Sequence, residues 1–139
     1  MSRNLIRSLV ILSKLEQQAI DELRVKITIL QNQIDAIQHA LDAQQEKRQA
    51  EFKILATASQ PSRTFSIYIE NEEKKRQDAV ESLRRFEGEY GELQDKLRDH
   101  YGTLKGYESL IEKKNQALVQ EEKKAEQTIL DEIALNRIK

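Results

Sequence analysis

The 139-residue chain contains no cysteine, no tryptophan, one proline and four glycines. Each shortage excludes something. Without cysteine there is no disulfide, no thiolate metal ligand and no cysteine nucleophile, which fits a reducing compartment. With only 5% aromatic residues, a thick core of several layers is not expected. Neither sign of charge prevails: 23 Lys and Arg stand against 24 Asp and Glu, a net charge of −1. The basic face that nucleic-acid backbones demand is therefore not expected. Long apolar runs are also missing. The longest is Leu9-Val10-Ile11-Leu12, whereas a membrane span takes about 20 apolar residues. Arg3 and Arg7 precede that run, as in a secretory signal, but Arg7, Ser8 and Ser13 interrupt it and no small-residue cleavage site follows. The expectation is a soluble, intracellular protein whose first residues open a helix.

What remains is charge and aliphatic periodicity. Charged residues make up 34% of the chain, well above the usual quarter. Their balance, with aliphatic residues at regular spacing, argues against disorder and for an all-α coiled coil. Pro61 is the only proline, set in the small, nearly uncharged stretch 56–64. Proline breaks a helix, and flanking Ser or Thr caps the next one. The spacing predicts helix over 2–56, a tip loop over 57–64 with Thr64 or Ser66 as the cap, and helix over 65–136.

Before Pro61 the core-type positions are Ile6, Leu9, Ser13, Glu16, Ile20, Leu23, Ile27, Leu30, Ile34, Ile37, Leu41, Gln44, Arg48, Glu51 and Leu55, in steps alternating three and four. That is a heptad. After it, two ladders run at spacing seven. One is Ile69, Arg76, Leu83, Tyr90, Leu97, Leu104, Ile111, Leu118 and Ala125. The other is Phe65, Glu72, Ala79, Phe86, Leu93, His100, Tyr107, Lys114 and Glu121. A sustained seven-residue repeat implies a left-handed supercoil. Folding the chain back at Gln60 pairs Ile27 with Leu93, Leu30 with Tyr90, Ile34 with Phe86, Ile37 with Leu83, Leu41 with Ala79, Leu23 with Leu97 and Leu9 with Ile111. Every a-type position then meets a d-type one, as an antiparallel hairpin requires. Toward the tip the seam turns polar, and Arg48 falls opposite Glu72, a register-fixing pair. The segment with Gln44, Arg48, Glu51, Glu72 and Arg76 is expected to be the looser half.

The arms are unequal. Residue 1 meets residue 119, which leaves 120–139 as an overhang, roughly 30 Å long if helical. It carries Ile129, Leu130, Ile133, Ala134, Leu135 and Ile138. Either this apolar stripe takes a partner or the terminus frays.

Sites for chemistry fail one by one. His39 falls on a solvent-facing position and His100 on the seam opposite Ile20, too far apart for a metal pair or proton relay. Carboxylates sit beside Lys and Arg on outward faces, as helix surface charges do. There is no Gly-rich phosphate loop, and a two-helix hairpin offers no substrate pocket. The reading is a protein without catalytic residues, metal or cofactor. Gly88, Gly91, Gly102 and Gly106 fall on the outer face of the second helix, either as a surface that another protein approaches closely or as tolerated drift. The tip lacks the acidic residues of a transcript-cleavage factor, and the charges do not form the basic stripe of a nucleic-acid-binding arm.

Lys105-Gly106-Tyr107-Glu108-Ser109-Leu110-Ile111-Glu112-Lys113 is similar to a Lys-x-x-Glu-x-Leu stretch of the flagellar export protein FliJ family. The segment Glu126-Gln127-Thr128-Ile129-Leu130-Asp131-Glu132-Ile133-Ala134-Leu135-Asn136-Arg137 is similar to that family's C-terminal Glu followed by Leu-Asp-Glu-x-Ala-x-x-Arg. The chain resembles the shorter, alphaproteobacterial-type members over nearly its whole length. The tip and Tyr68 look similar too, whereas the four helix-interior glycines depart from the pattern. The resemblance implies a soluble, stalk-like component of the flagellar type III export apparatus, cytoplasmic and peripheral at the inner membrane. It implies three partners: the hexameric export ATPase, the cytoplasmic domain of the export-gate membrane protein, and export chaperones. It implies neither nucleic-acid binding nor direct membrane insertion. Carried over, Ile129, Leu130, Asp131, Glu132, Ile133, Ala134 and Arg137 would sit at the ring-entering end, with Lys105, Glu108 and Leu110 as further contact candidates. The equivalent stalk of a virulence-type secretion system and a self-associating coiled-coil scaffold are the competing readings.

Overall fold

The structure, a computed structural model, describes residues 2–57 and 63–138. Helix α1 spans Ser2–Ala56 and helix α2 spans Arg63–Ile138. Together they form an antiparallel hairpin whose second helix is the longer. The first helix matches the expected bounds, while the second is longer than expected by two residues at each end. Thr64 and Ser66 are therefore not caps: both lie within α2, which has already begun at Arg63. Of the expected tip loop, Thr57 is a turn residue. Its N–H and hydroxyl both donate to the Ile54 carbonyl, at 3.2 Å and 2.7 Å, satisfying an acceptor that the end of α1 would otherwise leave orphaned. Pro61 and its neighbours over 58–62 lie outside the described residues.

Local sequence favours helix nearly everywhere. Glu, Lys, Gln, Ala, Leu and Arg are strong helix formers. Gln-to-Asp pairs four residues apart recur as surface staples: Gln17 with Asp21, Gln31 with Asp35 and Gln127 with Asp131, each at 2.9–3.0 Å. The hydroxyls of Ser13, Thr28, Thr103 and Thr128 donate back to carbonyls one turn earlier, which satisfies them within the helix while sharing an acceptor with its backbone.

The chain divides into two compact units. The first combines Met1–Glu22 with Leu97–Lys139. There Leu9, Ile20 and Leu104 are buried, Ile20 completely, and Ile6, Ser13, Tyr107, Ile111, Lys114 and Leu118 are half-buried. The second unit is Leu23–Lys96. Its buried residues are Leu23, Leu30 and Ile34, flanked by half-buried Ile27, Ile37, Leu41, Leu83, Phe86, Tyr90 and Leu93. Fully burying one such aliphatic side chain contributes roughly 1.5–3 kcal/mol, and a two-helix seam gathers that along a line instead of around a centre.

The heptad reading holds along the whole of α1. Every one of the core-type positions from Ile6 to Leu55 is buried or half-buried. In α2 the same is true from Ala79 to Leu118. Arg76 is the departure. It is exposed, and its guanidinium lies 3.4 Å from Glu73 on its own helix. Glu73 and Val80 are withdrawn from water instead, because a guanidinium on a long stem reaches water at little cost. Ala125 and Glu121, the last rungs of the ladders, are exposed.

Candidate functional site

Unit two carries a cluster of polar seam groups. Gln44 donates its amide to the Glu72 carbonyl at 2.8 Å and to the Glu72 carboxylate at 3.0 Å. Arg48 donates to Glu73 at 2.7 Å, and the Tyr68 hydroxyl donates to Glu51 at 2.9 Å. Arg48 also lies over the Phe52 ring and Lys47 over the Tyr68 ring, each 5.5 Å from the centroid. The expected partner of Arg48 was Glu72. The carboxylate of Glu72 is instead held by Gln44, and Arg48 takes the neighbouring Glu73. The Gln44 amide, donating to the carboxylate, holds Glu72 below the usual carboxylate range. Tyr68, beside the Lys47 ammonium, raises it above its ordinary value. The half expected to be looser is thus polar but closely hydrogen-bonded.

The histidines behave differently from each other. His39 is exposed, as expected. His100 is half-buried, and its Nδ1 lies 2.5 Å from the Glu16 carboxylate. The sequence register had set it opposite Ile20, one turn further along α1. Among the described residues, no group of three or more His, Asp or Glu side chains is placed to hold a metal ion. The four glycines are exposed, and a Cβ built on any of them would meet nothing within 4 Å. A groove of about 630 Å³ lies beside Phe52, Leu55, Phe65 and Ile69 in unit two. The sequence reading did not find this groove. Phe52 and Phe65 lie thirteen residues apart on either side of the tip, and only the fold-back joins them.

The overhang is the largest uncovered apolar feature. It is helical to Ile138, and every residue from Val119 to Ile138 is exposed. Ile129 is 56% exposed, Leu130 59% and Leu135 61%. Its helical state answers one half of the question left by the sequence: the apolar residues are presented on a helix, Ile129, Leu130 and Ile133 on one side and Leu135 away from them. Its one described cross-helix ion pair is an exposed contact of 3.7 Å between Arg3 and Glu122, so α1 reaches slightly further along α2 than expected. Asp131, Glu132, Ala134 and Arg137 share this exposed segment, and Asp131 accepts from Gln127. Lys105, Glu108 and Leu110 are likewise exposed and lie earlier in α2, so they form no single patch with the last two turns.

A second exposed apolar set escaped the ladder reading, which looks only for core positions. It runs along the outer side of α1: Leu5, Ile11, Leu12 and Leu15 in unit one, and Val25 and Ile29 in unit two. The signal for it is present in the sequence as apolar residues at positions one or two removed from each seam rung. Among the described residues, no helix is long and apolar enough to cross a membrane.

No protein-family model, curated protein or solved structure matches this chain.

Proposed function

We propose that this chain is a stalk-like component of a flagellar type III export apparatus. The observation that carries the reading is the helical overhang. A hairpin with one arm longer than the other ends in a single helix whose Ile129, Leu130, Ile133 and Leu135 have no cover from the chain itself. An exposed apolar stripe of this kind is an interaction surface in search of a partner. The same segment is the one that resembles the C-terminal motif of the FliJ family. In this reading the end bearing both termini enters the ring of the export ATPase. The overhang contacts successive subunits, and the paired helices supply the stiffness that couples nucleotide turnover to the export gate. Export chaperones are the further partners. The role needs no catalytic residue on this chain.

The test is a pull-down with the cognate export ATPase, using the full chain and a chain lacking residues 120–139. The truncated chain is expected to stay helical, to lose capture and to stop stimulating ATP hydrolysis. Undiminished stimulation by the truncated chain would sink the assignment of the overhang. A stable dimer of the full chain in light scattering, lost on the same truncation, would favour the scaffold instead.

A further inference from the structure

The geometry points to a second interaction surface, on the outer side of the first four turns of α1, that lies flat on an anionic lipid surface. With Ile6 and Leu9 taken as seam positions a and d, Leu5 and Leu12 fall at g, Leu15 at c and Ile11 at f. All four are exposed, Ile11 at 59% and Leu15 at 55%. The two other residues on this face, Asn4 and Ser8, are uncharged and exposed. Arg7 and Lys14 occupy the b positions along one border of the face, and both are exposed. Arg3 lies on the same border and makes an exposed 3.7 Å contact with Glu122.

The charge pattern selects the occupant. From residue 2 to residue 15 the chain carries three cations and no acid, although acids and bases balance over the whole sequence. The first acid of α1 is Glu16, and it is turned into the seam against His100. The outer face therefore presents leucine and isoleucine beside a cationic border and no carboxylate of its own helix. This is the arrangement of an interfacial amphipathic helix, whose apolar side chains enter the headgroup boundary while Arg and Lys meet lipid phosphates. From α2, Glu122 meets Arg3 and Glu108 shares a groove with Lys14, which leaves Arg7 beside the apolar face. The surface uses no residue of the overhang, and the vesicle test needs no ATPase, so its outcome is read separately from that of the pull-down.

The test is co-sedimentation of the full chain with vesicles of phosphatidylcholine alone and of phosphatidylcholine mixed with phosphatidylglycerol. The chain is expected to pellet with the mixed vesicles and to stay in solution with the neutral ones. Ile11→Glu with Leu15→Glu is expected to abolish pelleting. Arg7→Gln with Lys14→Gln is expected to weaken it about 25-fold, roughly fivefold per cation. Val25→Glu with Ile29→Glu, an equally exposed pair on the same helix, is expected to leave it unchanged, and circular dichroism confirms that each variant is helical. Three results overturn the proposal: no pelleting with the anionic vesicles, equal pelleting with neutral ones, or equal loss in the Val25 and Ile29 variant. The first of these returns the face to a protein partner or to none.

Discussion

Within Leu23–Lys96 the seam is built in two ways. Around Leu30 and Ile34 it is aliphatic and buried; around Gln44, Arg48 and Glu51 it is half-buried and tied by hydrogen bonds to Glu72, Glu73 and Tyr68. The two stretches divide the work. Aliphatic rungs supply most of the free energy, but one leucine is much like another, so they accept any shift by a whole heptad. Polar rungs add little net energy, because each bond replaces bonds to water. They are particular about their partners, and a slipped register would leave them unpaired. What the comparison teaches is that strength and address reside in different segments of one seam.

The largest expected effect is on the aliphatic side. Ile34→Ala, at a site only 5% exposed, should cost about 2–4 kcal/mol in chemical denaturation. A smaller loss would mean that the seam collapses around the gap. On the polar side, Gln44→Ala should cost about 1 kcal/mol. Its sharper consequence is on register. With Gln44→Leu and Arg48→Leu combined, cysteines placed at 27 and 93 should crosslink less efficiently than in the parent hairpin, while those at 34 and 93 gain. An unchanged ratio would show that the polar rungs do not set the register.

A third prediction lies outside the seam altogether. Gly88→Ala should raise the melting temperature, with a gain of about 0.5–1 kcal/mol, since the new methyl meets open space and a helix-interior glycine is entropically costly. A loss instead would mean that this position is constrained in a way its surroundings do not reveal. The smallest effect is on pH. Glu72 is held below its ordinary value, so its contribution is complete above the unfolded-state value and is lost as acid passes through the lowered one. Lys47 is raised, so its contribution is complete below the unfolded-state value and fades as alkali passes through the raised one. Hydrogen exchange of unit two should therefore quicken first around Gln44 and Glu72 on acidification, and Gln44→Ala should remove that dependence.

Much of this was legible in the sequence. Every seam position that heptad spacing assigned to α1 is buried or half-buried, because a helix has one period, while Val10, Ala19 and Gln31 beside the ladder are half-buried too. Arg76 was misplaced because periodicity assigns a backbone position, whereas a long charged side chain chooses where its head goes. The partner of Arg48 was misjudged by one residue for a related reason: neighbouring carboxylates at Glu72 and Glu73 are both in reach, and the choice depends on where the Gln44 amide points. The outer apolar side of α1 was present in the sequence beside the seam rungs, but a search for core positions passes over it, and its exposure brought it out. The overhang was legible as uncovered and was read as helix to residue 136; whether it frays stayed open, since helix propensity alone leaves a single helix near balance.

The overhang has a consequence for how any helix lies along it. From Leu118 the apolar line of α2 passes through Ala125 to Ile129 and Ile133, the last two steps being four residues each. Leu118 and Ile129 are thus eleven residues apart. The seven-residue ladders carried on past Ala125 would next fall on Thr128 and Glu132, so the apolar line slips by one residue where the overhang begins. A helix that covers the overhang cannot simply prolong the twist of the hairpin. Its line of contact has to shift near Ala125, and the place of that shift is written in α2 before any partner arrives.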